Sequence, residues 1–137
     1  MAYITVDQMI ARFGRDELLE LTDRDNEGIL NKTIIEAAIA DADAEIDGYI
    51  AIAVTLPLAS VPANITRLAA DIARYRLYDE RATDQVTKRY DNALEFLEMV
   101  ATGKATLGIE DDQNAASGSV EIEANSRVFT EDSLSSF

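Results

Sequence analysis

Apolar residues recur along this chain in steps of three and four over its first hundred positions, and then the pattern stops. Val6, Met9, Ile10 and Phe13 follow the i, i+3, i+4, i+7 spacing of one helical face. Thr5 stands before them as an N-cap with Gln8 three residues on, the arrangement of a capping box. Gly14 supplies a residue able to turn left-handed and stop that helix. A short second helix is predicted from near Asp16, carrying Leu18, Leu19 and Leu21. It ends in the polar run Thr22-Asp23-Arg24-Asp25-Asn26-Glu27-Gly28, which reads as a loop.

Asn31 can cap a third helix, predicted over 32–53, whose stripe is Ile35, Ile39, Ala42, Ile46, Tyr49 and Ala53, widened by Ala38 and Ile50. Gly48 inside it is unfavourable by about 1 kcal/mol relative to alanine and points to a close approach by another backbone, unless it is simply tolerated. Pro57 and Pro62 disfavour helical conformation at the residues before them, so 54–62 is extended or turned. Pro62 then opens a fourth helix running to Tyr78 or Asp79, with Ile65, Leu68, Ala69 and Ile72 facing inward. A fifth helix follows from Asp84 to Thr102, with Val86, Tyr90, Ala93, Leu94, Leu97 and Ala101 inward and Gly103 marking its end. The expected fold class is all-α, a compact bundle of about five helices.

Two segments are expected: a helical domain over 1–103 and an acidic tail over 104–137. The tail's two cations, Lys104 and Arg127, stand against seven acids, a charge of −5 that leaves −9 on the rest. Gln113-Asn114-Ala115-Ala116-Ser117-Gly118-Ser119 resembles a flexible linker. Val120-Glu121-Ile122-Glu123 alternates like a short strand, which would need a partner to be stable. Phe129, Leu134 and Phe137 then appear among charged and hydroxyl residues, as anchors do in segments that fold on binding. The bland alternative folds these aromatic residues back onto the chain's own helices.

Composition narrows the chemistry. Of 137 residues 26 are acidic and 12 basic, a formal charge of −14, which repels DNA, RNA and anionic membranes unless the cations are concentrated on one face. No run approaches the roughly 20 apolar residues of a membrane span, and the first residues lack the pattern of a secretory signal. With no cysteine there is neither disulfide nor thiolate site, and with no histidine the usual general base and commonest zinc ligand are missing. No cofactor is expected, and no catalytic role.

Three features compete for a functional reading. Asp23 to Asn31 places oxygen side chains at positions one, three, five and nine of a calcium loop and glycine at six. Position twelve, which needs a bidentate glutamate, is Ile34. A solvated interhelix loop is the reading kept, with no metal expected. Helix three carries Asp41, Asp43, Glu45 and Asp47; pairs four apart fall on neighbouring faces rather than converging, so an acidic outer or interface face is expected, with Asp43 and Asp47 as contact residues. Six of the twelve cations fall within 67–89, with Arg67, Arg74 and Arg81 every seven residues. A solvated face with local pairs such as Arg67–Asp71 is one account. A cationic contact face for an acidic partner, including an identical neighbour, is the sharper one.

The series Ile10-Ala11-Arg12-Phe13-Gly14, Asp16-Glu17-Leu18 and Leu21-Thr22-Asp23 resembles the start of the Mu-like prophage head–tail connector family. Ala40 through Ile50, Leu56-Pro57-Leu58, Val61-Pro62, the run Leu68 through Tyr78, and Arg127-Val128-Phe129 with Phe137 are also similar to it. No single motif is diagnostic, but the ordered series spans nearly the whole chain. The resemblance implies a helical, non-enzymatic virion protein of the neck. Its implied partners are the portal protein, neck and tail-completion proteins, and copies of itself in a homo-oligomeric ring through which DNA passes without specific binding. The alternative is a soluble helical adaptor that binds one partner through its acidic tail.

Overall fold

The computed structural model describes residues 2–108, and among them the secondary structure is helical, with no strand. Five α-helices follow in order: α1 Val6–Phe13, α2 Arg15–Thr22, α3 Lys32–Ile50, α4 Ala63–Tyr78 and α5 Asp84–Ala101, with a 3-10 turn at Asp79–Arg81 between the last two. The expected all-α class and number of helices are both observed. The tail residues discussed above, Val120–Glu123, Phe129, Leu134 and Phe137 included, lie outside the described residues.

The caps at Thr5 and Asn31 are those the sequence predicts, and Thr83 adds one that it did not name. Thr5 Oγ1 accepts from the Gln8 amide at 3.1 Å while Gln8 Oε1 accepts from the Thr5 amide at 2.9 Å, a complete capping box. Gly14 at φ 91° separates α1 from α2, a conformation that a side chain would strain. Asn31 Oδ1 caps α3 through the Ile34 amide and Thr83 Oγ1 caps α5 through the Val86 amide, both at 3.2 Å. Helix α3 ends at Ile50 rather than Ala53, and residues 51–53 continue as a turn. Gly48 has open space around it, so no backbone approaches there and the glycine is simply tolerated.

Helix α4 is the centre of the body and packs on α2, α3 and α5. Ile65, Leu68, Ala69, Ala70, Ile72, Ala73 and Leu77 are all buried, more than one stripe of residues, because neighbours cover it on several sides. The alanines at 69, 70 and 73 remove bulk where those helices meet it. From α3 come Ile35, Ala38, Ile39, Ala42, Ile46 and Ile50, and from α5 Val86, Ala93, Leu97 and Val100. Side chains outside the helices complete the core: Tyr3, Ile4, Leu30, Leu58 and Leu107 are buried. Fully burying such a side chain contributes about 1.5–3 kcal/mol. Leu107 therefore carries the folded body beyond Gly103, and Lys104 and Ala105 also donate backbone hydrogen bonds to the Met99 carbonyl.

Candidate functional site

The long-range side-chain hydrogen bonds and ion pairs among the described residues form four groups. The first attaches the α1–α2 pair to α4. Arg74 donates from Nε and Nη2 to the two carboxylate oxygens of Glu17, at 2.7 and 3.1 Å. Its guanidinium lies 4.5 Å from the centre of the Phe13 ring and 5.9 Å from that of Tyr78. The planar fork of arginine suits both the bidentate pair and the aromatic faces. Bonding to Glu17 raises the Arg74 pKa above its usual value, and burial raises that of the Tyr78 phenol.

A second group joins α3, α4 and α5. Glu45 accepts from Arg76 Nη2 at 2.7 Å and from the Tyr90 hydroxyl at 2.8 Å. The Tyr90 ring stacks on Tyr75, centres 3.9 Å apart and planes 4° from parallel. Burial, together with the carboxylate of Glu45, pushes the Tyr90 phenol up to about 12.

A third group ties down the first residues. The Tyr3 amide donates to Asp43 Oδ1 at 3.1 Å, its hydroxyl donates to Asp47, and its carbonyl accepts from Thr66 Oγ1 at 3.0 Å. Burial and then the hydrogen bond to Asp47 raise the Tyr3 phenol far above its ordinary value. Desolvation raises Asp43 despite the amide it accepts.

The fourth group is a carboxylate shared by two arginines. Asp71 on α4 is 4% exposed; Arg89 Nη2 from α5 lies 3.0 Å from its Oδ1, and Arg67 Nη1, one helical turn back, 4.0 Å from its Oδ2. The Arg89 contact lacks hydrogen-bond alignment, so Asp71 Oδ1 is buried with an ionic neighbour but no aligned donor. Burial raises the Asp71 carboxyl pKa above the usual range, against the opposing pull of Arg89 and Arg67.

This geometry redistributes the expected contact residues. Arg67, Arg74 and Arg81 do not form one free cationic face. Helix α4 ends at Tyr78, and Asp79 at φ 54° redirects the chain, so Arg81 stands exposed in the 3-10 turn. Arg74 is held inside the body by Glu17. Asp43 and Asp47 are likewise engaged with Tyr3 rather than presented as a free acidic pair. Of the expected charged contact residues, Arg67 and Arg81 remain exposed. Glu17 and Tyr3 were not singled out by the sequence, because their partners are 40 to 63 residues away, and Glu45 stood there only as one of the helix-three acids, its partners Arg76 and Tyr90 lying 31 and 45 residues on. Only Arg67–Asp71, at i,i+4 spacing, was legible in advance.

In the loop after α2, Asp23 accepts from the Glu27 amide at 2.8 Å and the Gly28 amide at 2.7 Å, one through each carboxylate oxygen. Buried Thr22 bridges the loop's ends, donating to the Leu18 carbonyl and accepting from the Asn31 amide. An open depression of about 430 Å³ beside it is lined by Asp16, Leu19, Glu20, Asp23 and Asn26. Among the described residues no three acids converge as a metal cluster, and no helix is long and apolar enough to cross a membrane.

These contacts define a small, acidic, all-α domain fastened by ion pairs between helices. Residues 3–124 match the family described as Bacteriophage Mu, Gp36, and the chain belongs to that family of phage Mu and Mu-like prophage proteins. It is similar to Gene product J of Escherichia phage Mu, 35% identical over 135 residues that cover 95% of each chain. It is also similar to the Mu-like prophage FluMu protein gp36 of Haemophilus influenzae, 36% identical over 110 residues, 80% of this chain and 78% of that one. The resemblance read from the ordered motifs is thus confirmed at the level of the Mu-like phage family.

Proposed function

We propose that this chain is a virion structural protein, a head–tail connector subunit of the phage neck. In this reading it assembles as a homo-oligomeric ring beneath the portal protein, completes the DNA-filled head and receives the neck and tail-completion proteins. It performs no catalysis. The observation that carries the reading is membership of the phage Mu family over a match running from residue 3 to residue 124. Two physical features support it. A formal charge of −14 lets DNA pass without adhering. Arg74, one of the cations clustered in sequence, is 14% exposed and bound through two hydrogen bonds to Glu17, and so withdrawn from phosphate binding.

Native mass spectrometry of the full chain, alone and mixed with its cognate portal protein, tests the proposal. A defined ring on the portal is the expected result; a chain that stays monomeric and unbound in the mixture refutes it. Truncation after Asp112 tests the tail. It should leave the melting temperature nearly unchanged and abolish joining of heads to tails, and Phe137→Ala alone should weaken joining. A loss of several degrees on truncation would instead place the tail in the core.

A further inference from the structure

We propose that α5 exchanges between two copies of this chain, with the Asp79–Arg81 turn as the hinge: α4 runs on into α5 as one helix, and α5 packs on α3 and α4 of the second copy. The inference does not depend on the connector reading.

Three observations converge on the turn. From Ala63 to Thr102 the sequence holds neither glycine nor proline, so no residue there is specialised for reversing the chain. The reversal falls instead on Asp79, at φ 54° and ψ −126°. That conformation lies outside the small left-handed region that residues with a Cβ visit, and holding it strains the backbone. The third observation is the period of the cations. Arg67, Arg74 and Arg81 recur every seven residues, and Lys88 continues the series past the turn. Seven residues are close to two helical turns, so the four would share one face of an unbroken helix. The bent chain divides them between α4, the 3-10 turn and α5.

Residues 79–83 suit the straightened form. Asp79, Glu80, Arg81 and Thr83 are exposed and Ala82 is half-buried, so the link gives up little burial by becoming helical. Glutamate, arginine and alanine are good helix formers. Short, strained links between packed elements favour exchange of those elements between copies.

The receiving surface is the one α5 already occupies, because an exchanged α5 makes between copies the contacts it makes within one. Val86, Ala93, Leu97 and Val100 enter the core. The Tyr90 ring stacks on Tyr75 and its hydroxyl donates to Glu45, while Arg89 meets buried Asp71. A helix must carry these groups in this register to fit, and a second copy supplies it. Two chains of −14 repel at long range, so raised salt, which screens that field, should favour the exchange. Burial is nearly conserved, so strain released at Asp79 and freedom lost on association decide the balance.

The test uses the full chain. Equal amounts of unlabelled and nitrogen-15-labelled protein are unfolded together in urea, refolded at high concentration in raised salt, and separated by size. Photo-oxidation then joins adjacent tyrosines, and mass spectrometry locates the Tyr75–Tyr90 links. Links between unlike labels are expected in the oligomer, and links between like labels alone in the monomer. An oligomer whose Tyr75–Tyr90 links join like labels only, or a chain that forms no oligomer, overturns the inference. Deleting Glu80 to Ala82 leaves too little chain for α5 to fold back and should give exchanged oligomer only; a folded monomer overturns the inference. Should that variant not fold, two substitutions decide. Asp79→Gly relieves the strain of the closed form and should shift the balance about tenfold toward monomer. Asp79→Ala keeps the strain, favours helix, and should shift it toward oligomer. A balance that neither substitution moves, or that moves the other way, overturns it. None of these outcomes bears on the connector reading, which is tested with the portal protein.

Discussion

Replacing Arg74 tests whether the α1–α2 pair is held to the body by a single polar clamp. Arg74→Ala deletes two hydrogen bonds to Glu17 and the cation's contact with the Phe13 ring, in a pair whose side chains are only 14% and 23% exposed. Hydrogen bonds to charged groups contribute about 1.5–3 kcal/mol net. The aromatic contact adds roughly 0.5–1 kcal/mol. Glu17 keeps some access to water and recovers part of its hydration, so the expected loss is about 2–3 kcal/mol. For a domain of this size that lowers the melting temperature by roughly 10 °C or more. Arg74→Lys should recover only part of the loss, because an ammonium cannot bind both oxygens in a fork while lying flat on a ring. Thermal and urea denaturation followed by circular dichroism measure the loss. A cycle with Glu17→Ala should return a coupling of about 1–2 kcal/mol between the two positions. Amide exchange in 6–22 should accelerate ahead of exchange in α4. A coupling near zero, or Arg74→Glu folding with wild-type stability, would refute the clamp. That last outcome is what a free contact residue predicts, so the same experiment separates the two roles of Arg74.

Three further outcomes follow from buried polar groups. The folded pKa of Asp71 lies above its ordinary value, so its contribution is favourable at acid pH and is lost as pH rises through the folded pKa. Asp71→Asn should therefore match or exceed wild-type stability at pH 7, with the advantage shrinking below the ordinary carboxylate range in a pH series of melting curves. Tyr90 keeps its proton up to about 12 in the folded state, so it stabilises fully below the ordinary phenol value of 10.0 and loses that contribution as pH climbs from there to about 12; Tyr90→Phe should flatten this alkaline slope, with phenolate absorbance reporting the titration. Asp23→Ala should lower stability by about 1 kcal/mol through loss of its bonds to the Glu27 and Gly28 amides, while millimolar calcium and a chelator should give wild-type protein the same melting temperature, since Ile34 stands where a bidentate ligand is required.

Local order was determined by the sequence itself. Caps act within three residues, helix stripes within seven, and a positive-φ glycine at the position it occupies, so Thr5, Gln8, Gly14, Asn31 and the α3 stripe from Ile35 to Ile46 needed no tertiary information, whereas Ala53, expected on that stripe, lies beyond the helix end and is exposed. The family was legible for a related reason: an ordered series of short motifs survives in a linear text. Tertiary structure decided the rest. Tyr3, Ile4, Leu30, Leu58 and Leu107 lie outside any helical period, so only packing shows that they are buried. The fate of the charges was also settled there. An arginine every seven residues looks like a face until α4 ends at Tyr78 and Glu17 arrives from another helix to take Arg74. Asp43 and Asp47 look solvated until Tyr3 crosses α3 from 40 or more residues away. Whether a surface charge is free or engaged depends on which distant residue the fold brings within about 3 Å, and spacing along one helix carries no record of that distance.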